Sequence, residues 1–523
     1  MKRIFIFFLL FNLPRLQSQT INYAEHIAPI IYKKCTSCHR PGEIGPFSLT
    51  NYDQVAAYGS SIKFVTGIKY MPPWKADPAY QHYQNENYLT DDEIQKISDW
   101  VDDQMPRGDP SIEPELPVYP KGSQIGVPDL VLSFAKSHKI KGNNTDEYRY
   151  FVLPTGLKES KDLVCLEMRP GNTSVVHHTL FWQDTTGKAK AADDATPEYG
   201  YAPEEADVTG PQNQLFGYVP GVRPTLLTYG LAQKLYAGAD IKMQMHYAPA
   251  PVDETDSSTV NLFFAKTPAQ RYLQSHIMLP FPTTLGGDIF VIQPETKREF
   301  HGVLKIPFKV SIFSIAPHMH KLGTHWKVFA VKPTGDTVPL INIKAWDFNW
   351  QGNYNFKKLI VLPAGSVIHA YAGYDNTSSN PHNPHSPPKL VTWGEGTGDE
   401  MYYLPIIYLP YMTGDENMVF EDHSPAFLSK LHLQGLDNRL FSVNPNPVGD
   451  VLKTGYYLAK TGKVNLKIID QSGSLVKTIY SDKNHFPGYH TSELDVSGLA
   501  AGVYTLILEQ GTDRKYQKIL VIR

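Results

Sequence analysis

Apolar positions near the N-terminus of this chain follow a helical period. They recur every three or four residues over 23–31 and again over 94–101, which is the spacing that places side chains on one face of a helix. Thr90-Asp-Asp-Glu93 precedes the second run and has the form of an N-terminal capping box. The pattern predicts a small all-α domain over residues 20–109, whose last helix ends before Pro106 because proline cannot continue it.

The period changes after a linker over residues 110–127 that is rich in proline and glycine. Short apolar runs of strand-like composition then alternate with turns, and examples lie at residues 148–153, 175–182, 241–247 and 308–315. Runs at this spacing are typical of antiparallel β-sandwiches. The length suits two of them, which we expect over residues 128–286 and 287–435.

The composition changes again after Asn438. Alternating strand patterns and Gly-containing turns predict a compact all-β sandwich module over residues 440–523. The sequence shows no clustered histidine or cysteine in this module, so we expect no chemistry there. The whole chain is therefore expected to be a multidomain protein, since 523 residues exceed what a single core accommodates.

Charge and the N-terminus indicate the compartment. A net charge of −3 gives no electrostatic reason to expect nucleic acid or anionic membranes as partners. Lys2 and Arg3 precede an uncharged apolar run over residues 4–10, which predicts a secretory signal peptide over residues 1–19; the alternative is a buried first helix. The run is too short for a membrane span and no later stretch approaches one, so we expect an exported protein without a transmembrane segment.

Two of the three cysteines form a cofactor motif. Cys35-Thr-Ser-Cys38-His39 has the spacing of c-type haem attachment, with two thioether bonds and the adjacent histidine as axial iron ligand. Zinc is the alternative, but the chain has no second Cys-x-x-Cys. The motif therefore predicts covalent haem c. The third cysteine, Cys165, lies between apolar neighbours and is expected to be a buried strand residue.

The sixth haem ligand has three candidates in this sequence. Met71 lies in a proline-rigid loop before the last helix of the domain, where small c-type cytochromes usually present theirs. Met105 follows that helix and would have to reach back. His26 lies on the first helix and is expected to be a solvated or capping residue. Met71 is the leading assignment.

The middle of the chain carries six side chains of metal-ligand type. They are His177, His178, His246, His318, His320 and Met401. Imidazole suits copper in either oxidation state, and a thioether favours Cu(I). A single histidine is more often structural, but five in three tight motifs together with a methionine favour two redox copper ions. The residues divide into a three-histidine set and a set of two histidines and Met401.

Local spacing indicates how each set would form. His318 and His320 are separated by one residue, which would place both on the same face of a strand. His177 and His178 are adjacent, so a regular strand would direct them apart and the strand must twist or bulge for both to hold one ion. His246 ends another strand-like run and could complete that site.

Other histidines are expected to be structural or solvated. His325 is left out of the second set because an odd number of positions along a strand reverses the side-chain direction. His382 and His385 lie in a polar, proline-rich loop over residues 376–389. They could bind metal, but the loop composition favours a solvated segment.

The four motifs around the six residues resemble, in order, those of the copper type II, ascorbate-dependent monooxygenases, which include the peptidylglycine α-hydroxylating and dopamine β-monooxygenases. The resemblance covers roughly residues 128–420. It implies two consecutive jelly-roll-like β-sandwiches, each holding one copper across a solvent-filled cleft. It makes the three-histidine set the electron-transfer copper site, and His318, His320 and Met401 the oxygen-binding copper site.

The closer likeness is to bacterial proteins in which a cytochrome c domain with CxxCH and MPPW precedes this pair, and the motifs at 347–351 and 393–401 also look like theirs. The chain departs from the animal enzymes because it cannot make their disulfides. The peptide-recognising enzyme has arginine, asparagine and tyrosine where this chain has Ala316, Tyr403 and Pro405. The clamp for a peptide carboxylate is therefore missing, and a peptide substrate is not expected.

The C-terminal module resembles the Por-type, or type IX, secretion sorting domain. The likeness is carried by NPNP near its start, SGLAAGVYTL and a basic end. It implies that the type IX secretion machinery delivers the protein to the cell surface or medium.

These features together predict an exported monooxygenase that uses O2 to hydroxylate a C–H bond of a small organic substrate. Electrons would enter through haem c and the three-histidine copper, from ascorbate or a redox protein. One alternative is a non-enzymatic electron-transfer or copper-binding surface protein. A structural protein with zinc in the histidine sites is another, but it leaves the haem motif unexplained.

Overall fold

The computed structural model has 40% of residues in strands and 12% in helices, which makes the protein β-rich with a short helical region near the N-terminus. It describes residues 21–117, 123–202, 214–420 and 438–523, apart from positions 124, 126, 441, 442, 444, 445, 459–461 and 486–487. The predicted signal peptide lies outside the described residues. The chain divides into two compact units, and the second begins with residues 74–86 and resumes at residue 118.

The first unit is helical. A helical turn at Tyr23–Ile27 leads into α1 (Ala28–Lys34), and α2 (Tyr52–Ala57), α3 (Gly59–Gly67) and α4 (Asp91–Asp102) follow. The predicted capping box is confirmed, because the Glu93 carboxylate accepts the Thr90 N–H at 2.8 Å and the Thr90 hydroxyl accepts the Glu93 N–H at 3.2 Å. Tyr23 and Trp100 are fully buried and centre the core.

Residues 74–86 lie between α3 and α4 in sequence but pack in the second unit. Ala76 and Tyr83 are buried in the core of the second sandwich, where they form isolated bridges with Ile343 and Phe356. The Tyr83 hydroxyl donates to the Leu340 carbonyl at 2.6 Å. The sequence pattern did not indicate this, because the apolar residues of the segment follow neither a helical nor a strand period. We call residues 74–86 the inserted segment.

Among its described residues the first sandwich has ten strands and one helix, α5 (Lys188–Ala195). The strands are β1 (Leu130–Ser133), β2 (His138–Ile140), β3 (Glu147–Pro154), β4 (Lys161–Arg169), β5 (Val176–Asp184), β6 (Leu231–Leu235), β7 (Asp240–Tyr247), β8 (Glu254–Asp256), β9 (Thr259–Phe264) and β10 (Arg271–Tyr272). They form sheets β1-β9-β4-β6-β10, β3-β7-β5 and β2-β8, with antiparallel pairing except between β6 and β10. Cys165 is a buried residue of β4, as predicted.

The second sandwich also has ten strands. They are β11 (Gln274–Met278), β12 (Val291–Ile292), β13 (Lys297–Lys305), β14 (Val310–Ile315), β15 (Gly323–Val331), β16 (Thr337–Ile343), β17 (Tyr354–Leu362), β18 (Val367–Asp375), β19 (Val391–Thr392) and β20 (Leu404–Pro410). Two four-stranded antiparallel sheets, β11-β20-β14-β17 and β13-β18-β15-β16, enclose its core, and β12 pairs with β19. Trp326 on β15 is fully buried in this core.

An apolar cluster joins the two sandwiches. It contains Leu231 and Leu273 from the first and Phe313 and Leu409 from the second, all buried. Burial of such side chains stabilises by roughly 1.5–3 kcal/mol each. The cluster holds β14 and β20 against the first sandwich. The residues that follow β14 and those that precede β20 are held there with the strands.

Seven strands lie in the part of the C-terminal module that the structure describes. They are β21 (Arg439–Leu440), β22 (Val451–Leu458), β23 (Gly462–Ile469), β24 (Leu475–His485), β25 (Gly488–Asp495), β26 (Gly502–Gln510) and β27 (Asp513–Val521). They form sheets β21-β22-β25 and β24-β23-β26-β27. Val464, Leu466 and Ile468 alternate along β23 and are fully buried, which agrees with the period-two pattern in the sequence.

Candidate metal centre

Three histidines meet where β5 pairs with β7. His178 on β5 lies directly opposite His246 on β7, and the register shifts between Val176 and His178. This irregularity is the bulge that two adjacent histidines require in order to face one point. His177 therefore joins the other two, and the three are the one group of at least three potential metal-binding side chains found among the described residues.

The three Nδ1 atoms of this set converge. The distance from His177 to His178 is 3.0 Å, from His177 to His246 3.0 Å, and from His246 to His178 3.2 Å. A metal about 2.0 Å from each imidazole nitrogen would separate tetrahedral ligand atoms by roughly 3.3 Å. Neutral rings cannot satisfy all three contacts by hydrogen bonding, because each Nδ1 is either a donor or an acceptor and two atoms of any three must then be alike. The donor set therefore fits a metal cation.

Asp146 sets the tautomer of His246. Its carboxylate accepts the Nε2–H of His246 at 2.7 Å, which leaves Nδ1 as the nitrogen with a lone pair. Burial lowers the pKa of His177 to about 3 and that of His178 well below its usual value. Burial also lowers the pKa of His246, although its bond to Asp146 opposes this. All three rings are thus held in the neutral form that binds metals.

His318 and His320 present their other nitrogen. His318 Nδ1–H donates to the Gln351 side-chain oxygen and His320 Nδ1–H donates to the Asp399 carbonyl at 3.1 Å, so Nε2 carries the lone pair in both. The expectation that both lie within a strand is wrong. They follow the end of β14, and His318 forms only an isolated bridge with Tyr403. The two rings are nevertheless neighbours, with centroids 5.3 Å apart.

Burial also controls the charge of this second pair. It lowers the pKa of His318 to about 4 and that of His320 to about 3. Met401 joins them in lining a cavity of about 180 Å³ that also contacts His178. The structure therefore brings all six predicted side chains to one region, and Met401 shares a cavity with the two histidines that the resemblance assigns to it.

The two sets are adjacent in this structure. The rings of His178 and His318 have centroids 5.8 Å apart. Phe348 lies against both sets, with its ring 5.5 Å from that of His177 and 5.9 Å from that of His320. The solvent-filled cleft that the resemblance implies is replaced here by side-chain contact between the sets.

A second cavity, of about 110 Å³, borders His178 and His318 on another side. Its walls are mainly apolar, and they include Ala316, Tyr403 and Pro405. These are the three positions where the carboxylate clamp of the peptide-recognising enzyme is missing. The lining also contains the Arg223 guanidinium, so a polar end of a ligand could be accommodated beside its apolar part.

Three other histidines lie outside the two ligand sets. His325 donates to Glu299 at 2.7 Å on β15, and His385 Nε2–H donates to the Gly398 carbonyl at 2.7 Å. His382 is exposed. His385 is thus a support for the loop that carries Met401.

One expectation for the C-terminal module is wrong. The module was expected to have no clustered histidines, but His485 Nδ1 lies 3.3 Å from His490 Nδ1. His485 is the last residue of β24 and His490 lies near the start of β25. Their spacing of five positions in the sequence gives no indication of this contact.

The Cys-x-x-Cys-His motif proposed to hold haem lies at the end of α1. Cys35 follows the helix, and the His39 N–H donates to the Cys35 carbonyl at 2.9 Å, so one further turn gathers the motif. His39 Nδ1–H donates to the Phe47 carbonyl at 3.1 Å, which leaves Nε2 to bind a metal. These features fit the group that the motif predicts.

Two of the three candidates for the sixth ligand have other contacts in the structure. Met105 packs against the core of the first unit, and its sulfur contacts α3 at Gly59. His26 Nδ1 accepts the Asn22 N–H at 3.3 Å and so caps the first helical turn. The assignment of Met71 stays a prediction.

Several supporting residues were missed from the sequence. Asp146, Phe348, Gln351 and Glu400 all touch or orient the predicted ligands. Phe348 and Gln351 lie in the 347–351 motif, and Glu400 directly precedes Met401. The motif likeness marked these positions, but it gave no role for them.

Comparisons with known proteins identify only the C-terminal module. The family of secretion system C-terminal sorting domains matches residues 442–523. No curated protein matches the chain. The module indicates export through the type IX secretion machinery to the cell surface or extracellular space. A search of the described helices finds none with the length and apolarity needed to cross a membrane.

Solved structures give only faint likenesses. The β-glucuronidase of Faecalibacterium prausnitzii is 12% identical with a TM-score of 0.13, covering 43% of this chain and 37% of that chain. The enzyme of Dictyoglomus thermophilum is 11% identical with a TM-score of 0.13, covering 50% and 40%. That of Ruminococcus gnavus is 10% identical with a TM-score of 0.12, covering 68% and 44%. The chain spans less than half of each of these proteins, and such scores carry no argument.

Proposed function

We propose that this protein is an exported copper- and haem-containing monooxygenase that hydroxylates a C–H bond of a small organic substrate with O2. The convergence of three histidine Nδ1 atoms within 3.2 Å, next to two further histidines and a methionine, carries the proposal. Copper bound by these residues would supply one-electron chemistry and oxygen activation. The order of the motifs supports the assignment to the copper type II, ascorbate-dependent family.

The protein residues have separate roles in this proposal. Asp146, Gln351 and the Asp399 carbonyl each accept a hydrogen bond from the N–H of one histidine ring. The opposite nitrogen of each ring therefore faces inward. Phe348 packs against both sets and excludes water from between them. Tyr148 stacks on His246 with ring centroids 4.2 Å apart, which fixes the orientation of that ring.

The cavities limit the substrate to a small molecule. Those beside the histidines have volumes of about 180 Å³ and 110 Å³. An engineered apolar cavity of about 150 Å³ in another protein accommodates benzene. A substrate whose reacting end is no larger than one ring therefore matches the space beside His318.

The first unit would supply electrons. Cys35 and Cys38 would hold haem c covalently, with His39 and Met71 as axial ligands. The inserted segment begins three residues after Met71. Its Lys75 forms an ion pair with Asp347, with a distance of 3.1 Å between the charged atoms. Asp347 directly precedes Phe348, so this ion pair holds the inserted segment against the loop that contains Phe348.

Metal analysis followed by oxygen uptake tests the proposal. Purified protein should contain haem and two copper ions per chain, and reductant should drive O2 consumption that is coupled to a hydroxylated product. Copper and haem without coupled uptake across a panel of small substrates would favour the alternative of an electron-transfer or copper-binding surface protein. Zinc in place of copper would contradict both.

Haem is expected to remain with the polypeptide after acid–acetone extraction, because thioether bonds survive denaturation. The measurement is the haem absorbance of the precipitated protein. A variant with both Cys35→Ala and Cys38→Ala should release its haem or fail to load it. Haem extracted from the wild-type protein would disprove covalent attachment.

Met71→Ala is expected to abolish the long-wavelength charge-transfer band of methionine-ligated Fe(III) haem, because its thioether would be the sixth ligand. Met105→Ala is the matched control. It should keep the band while destabilising the unit by roughly 2 kcal/mol through lost packing. The opposite pattern in the two visible spectra would assign Met105 as the ligand.

A further inference from the structure

Glu400 is a fully buried acid beside the proposed metal ligands. Its carboxylate accepts three backbone N–H groups. Oε1 accepts those of His320 and Met401, the latter at 2.8 Å, and Oε2 accepts that of Leu322 at 3.0 Å. The donors come from two chain segments that are far apart in sequence, so one side chain joins the His-x-His segment to the segment that carries Met401.

Disturbing this arrangement would raise the free energy of the folded protein. A buried N–H without an acceptor costs about 1–3 kcal/mol, and Glu400 satisfies three of them. The backbones of the two segments also pair directly, because His318 and Tyr403 exchange N–H···O bonds of 2.9 Å and 3.2 Å. The Tyr374 hydroxyl donates to the Met401 carbonyl at 2.8 Å, and His320 Nδ1–H donates to the Asp399 carbonyl. Glu400 adds to these bonds one side chain that binds the N–H groups of two proposed ligand residues, His320 and Met401.

The same loop also contacts the first sandwich. The hydroxyls of Thr397 and Tyr148 are hydrogen-bonded at 2.9 Å, and Tyr148 stacks on His246. A displacement of the loop would therefore affect the neighbours of both ligand sets. Met401 would be affected most, because its own N–H is bound by the adjacent Glu400 side chain.

We propose that Glu400 is a positioning residue that holds the Met401 thioether in register with the His318 and His320 imidazoles. It would not bind the metal itself, since both carboxylate oxygens are engaged with backbone N–H groups. This inference rests on the proposed function, because it assumes that the three side chains share one copper ion.

Glu400→Gln tests the role in full-length protein loaded with Cu(I). The amide nitrogen of glutamine cannot accept the N–H groups that one carboxylate oxygen now accepts, so the loop should shift. We expect the sulfur contribution to the copper X-ray absorption spectrum to be lost and Cu(I) affinity at this set to fall about tenfold or more. Copper at His177, His178 and His246 should remain.

Asp415→Asn is the matched control. Asp415 is also buried and accepts several bonds, including a pair from Arg271. It accepts from Ser311 near the start of β14, whereas the histidines follow the end of that strand. It should lower thermal stability without changing the copper–sulfur signal. If Glu400→Gln does not fold, Glu400→Asp replaces it, because the shorter side chain keeps the charge but cannot reach both segments.

The outcomes separate the two ideas. A folded Glu400 variant with an unchanged sulfur signal and affinity overturns the positioning role and leaves the proposed function standing. A wild-type Cu(I) spectrum that contains no sulfur removes Met401 from the copper site, and overturns both. Loss of sulfur in the Glu400 variant alone supports the role.

Discussion

Replacing His246 with alanine is expected to remove one of the two copper ions that we propose for this protein. His246 contributes one of three converging Nδ1 atoms, and its Nδ1 lies within 3.2 Å of both partners. Two remaining imidazoles would hold the ion far more weakly, since loss of a ligand costs more than the tenfold to hundredfold typical of a supporting residue. Copper analysis after dialysis against a mild chelator measures the result.

His325→Ala is the control for this change. His325 lies in the same unit and is bound to Glu299, but it has no contact with the cluster. It should retain both copper ions. Full copper retention by the His246 variant would mean that the three-histidine set is not a copper site, and equal loss in both variants would indicate general destabilisation.

Met401→His is expected to keep near-normal copper but to lose most oxygen-dependent turnover. A thioether favours Cu(I), and an added imidazole would change the redox behaviour of that ion. X-ray absorption on the Cu(I) form gives a direct check, because the wild type should show one sulfur ligand shared over two copper ions and the variant none. The His177, His178 and His246 set should be unaffected.

Met412→His is a control for the introduction of a histidine. Met412 is 56% exposed and follows β20, away from the cavity that Met401 lines. Its replacement should leave both the sulfur signal and the turnover unchanged. A sulfur signal that survives in the Met401 variant would show that another residue supplies the thioether.

The period of apolar residues predicted the secondary structure class well. The capping box at Thr90 and the alternation along β23 appear as expected, because both depend on local geometry alone. The placement of residues 74–86 could not be predicted in this way. Ala76 and Tyr83 pair with residues more than 250 positions later, and such contacts leave no local period.

In the candidate site, too, features that depend on local geometry were predictable from the sequence and features that depend on distant segments were not. The adjacent pair His177-His178 implied a bulge, since an alternating strand cannot direct both rings to one point, and β5 has that irregularity. His318 and His320 were expected on a strand but lie beyond the end of β14. Glu400 and Asp146 act through hydrogen bonds to distant segments, and only the folded chain shows these partners.

The inserted segment makes the helical unit discontinuous in sequence. A polypeptide cut at the interdomain linker would carry Ala76 and Tyr83 without the strands that bury them, and would expose apolar surface of the kind that promotes aggregation. The remaining sandwich would lose the side chain that bonds the Leu340 carbonyl. During synthesis, the segment must also wait for residues near 340–356 before it can dock, so its folding is slower than that of the local helical contacts around it. The inserted segment therefore belongs, in folding as in packing, with strands far from it in sequence.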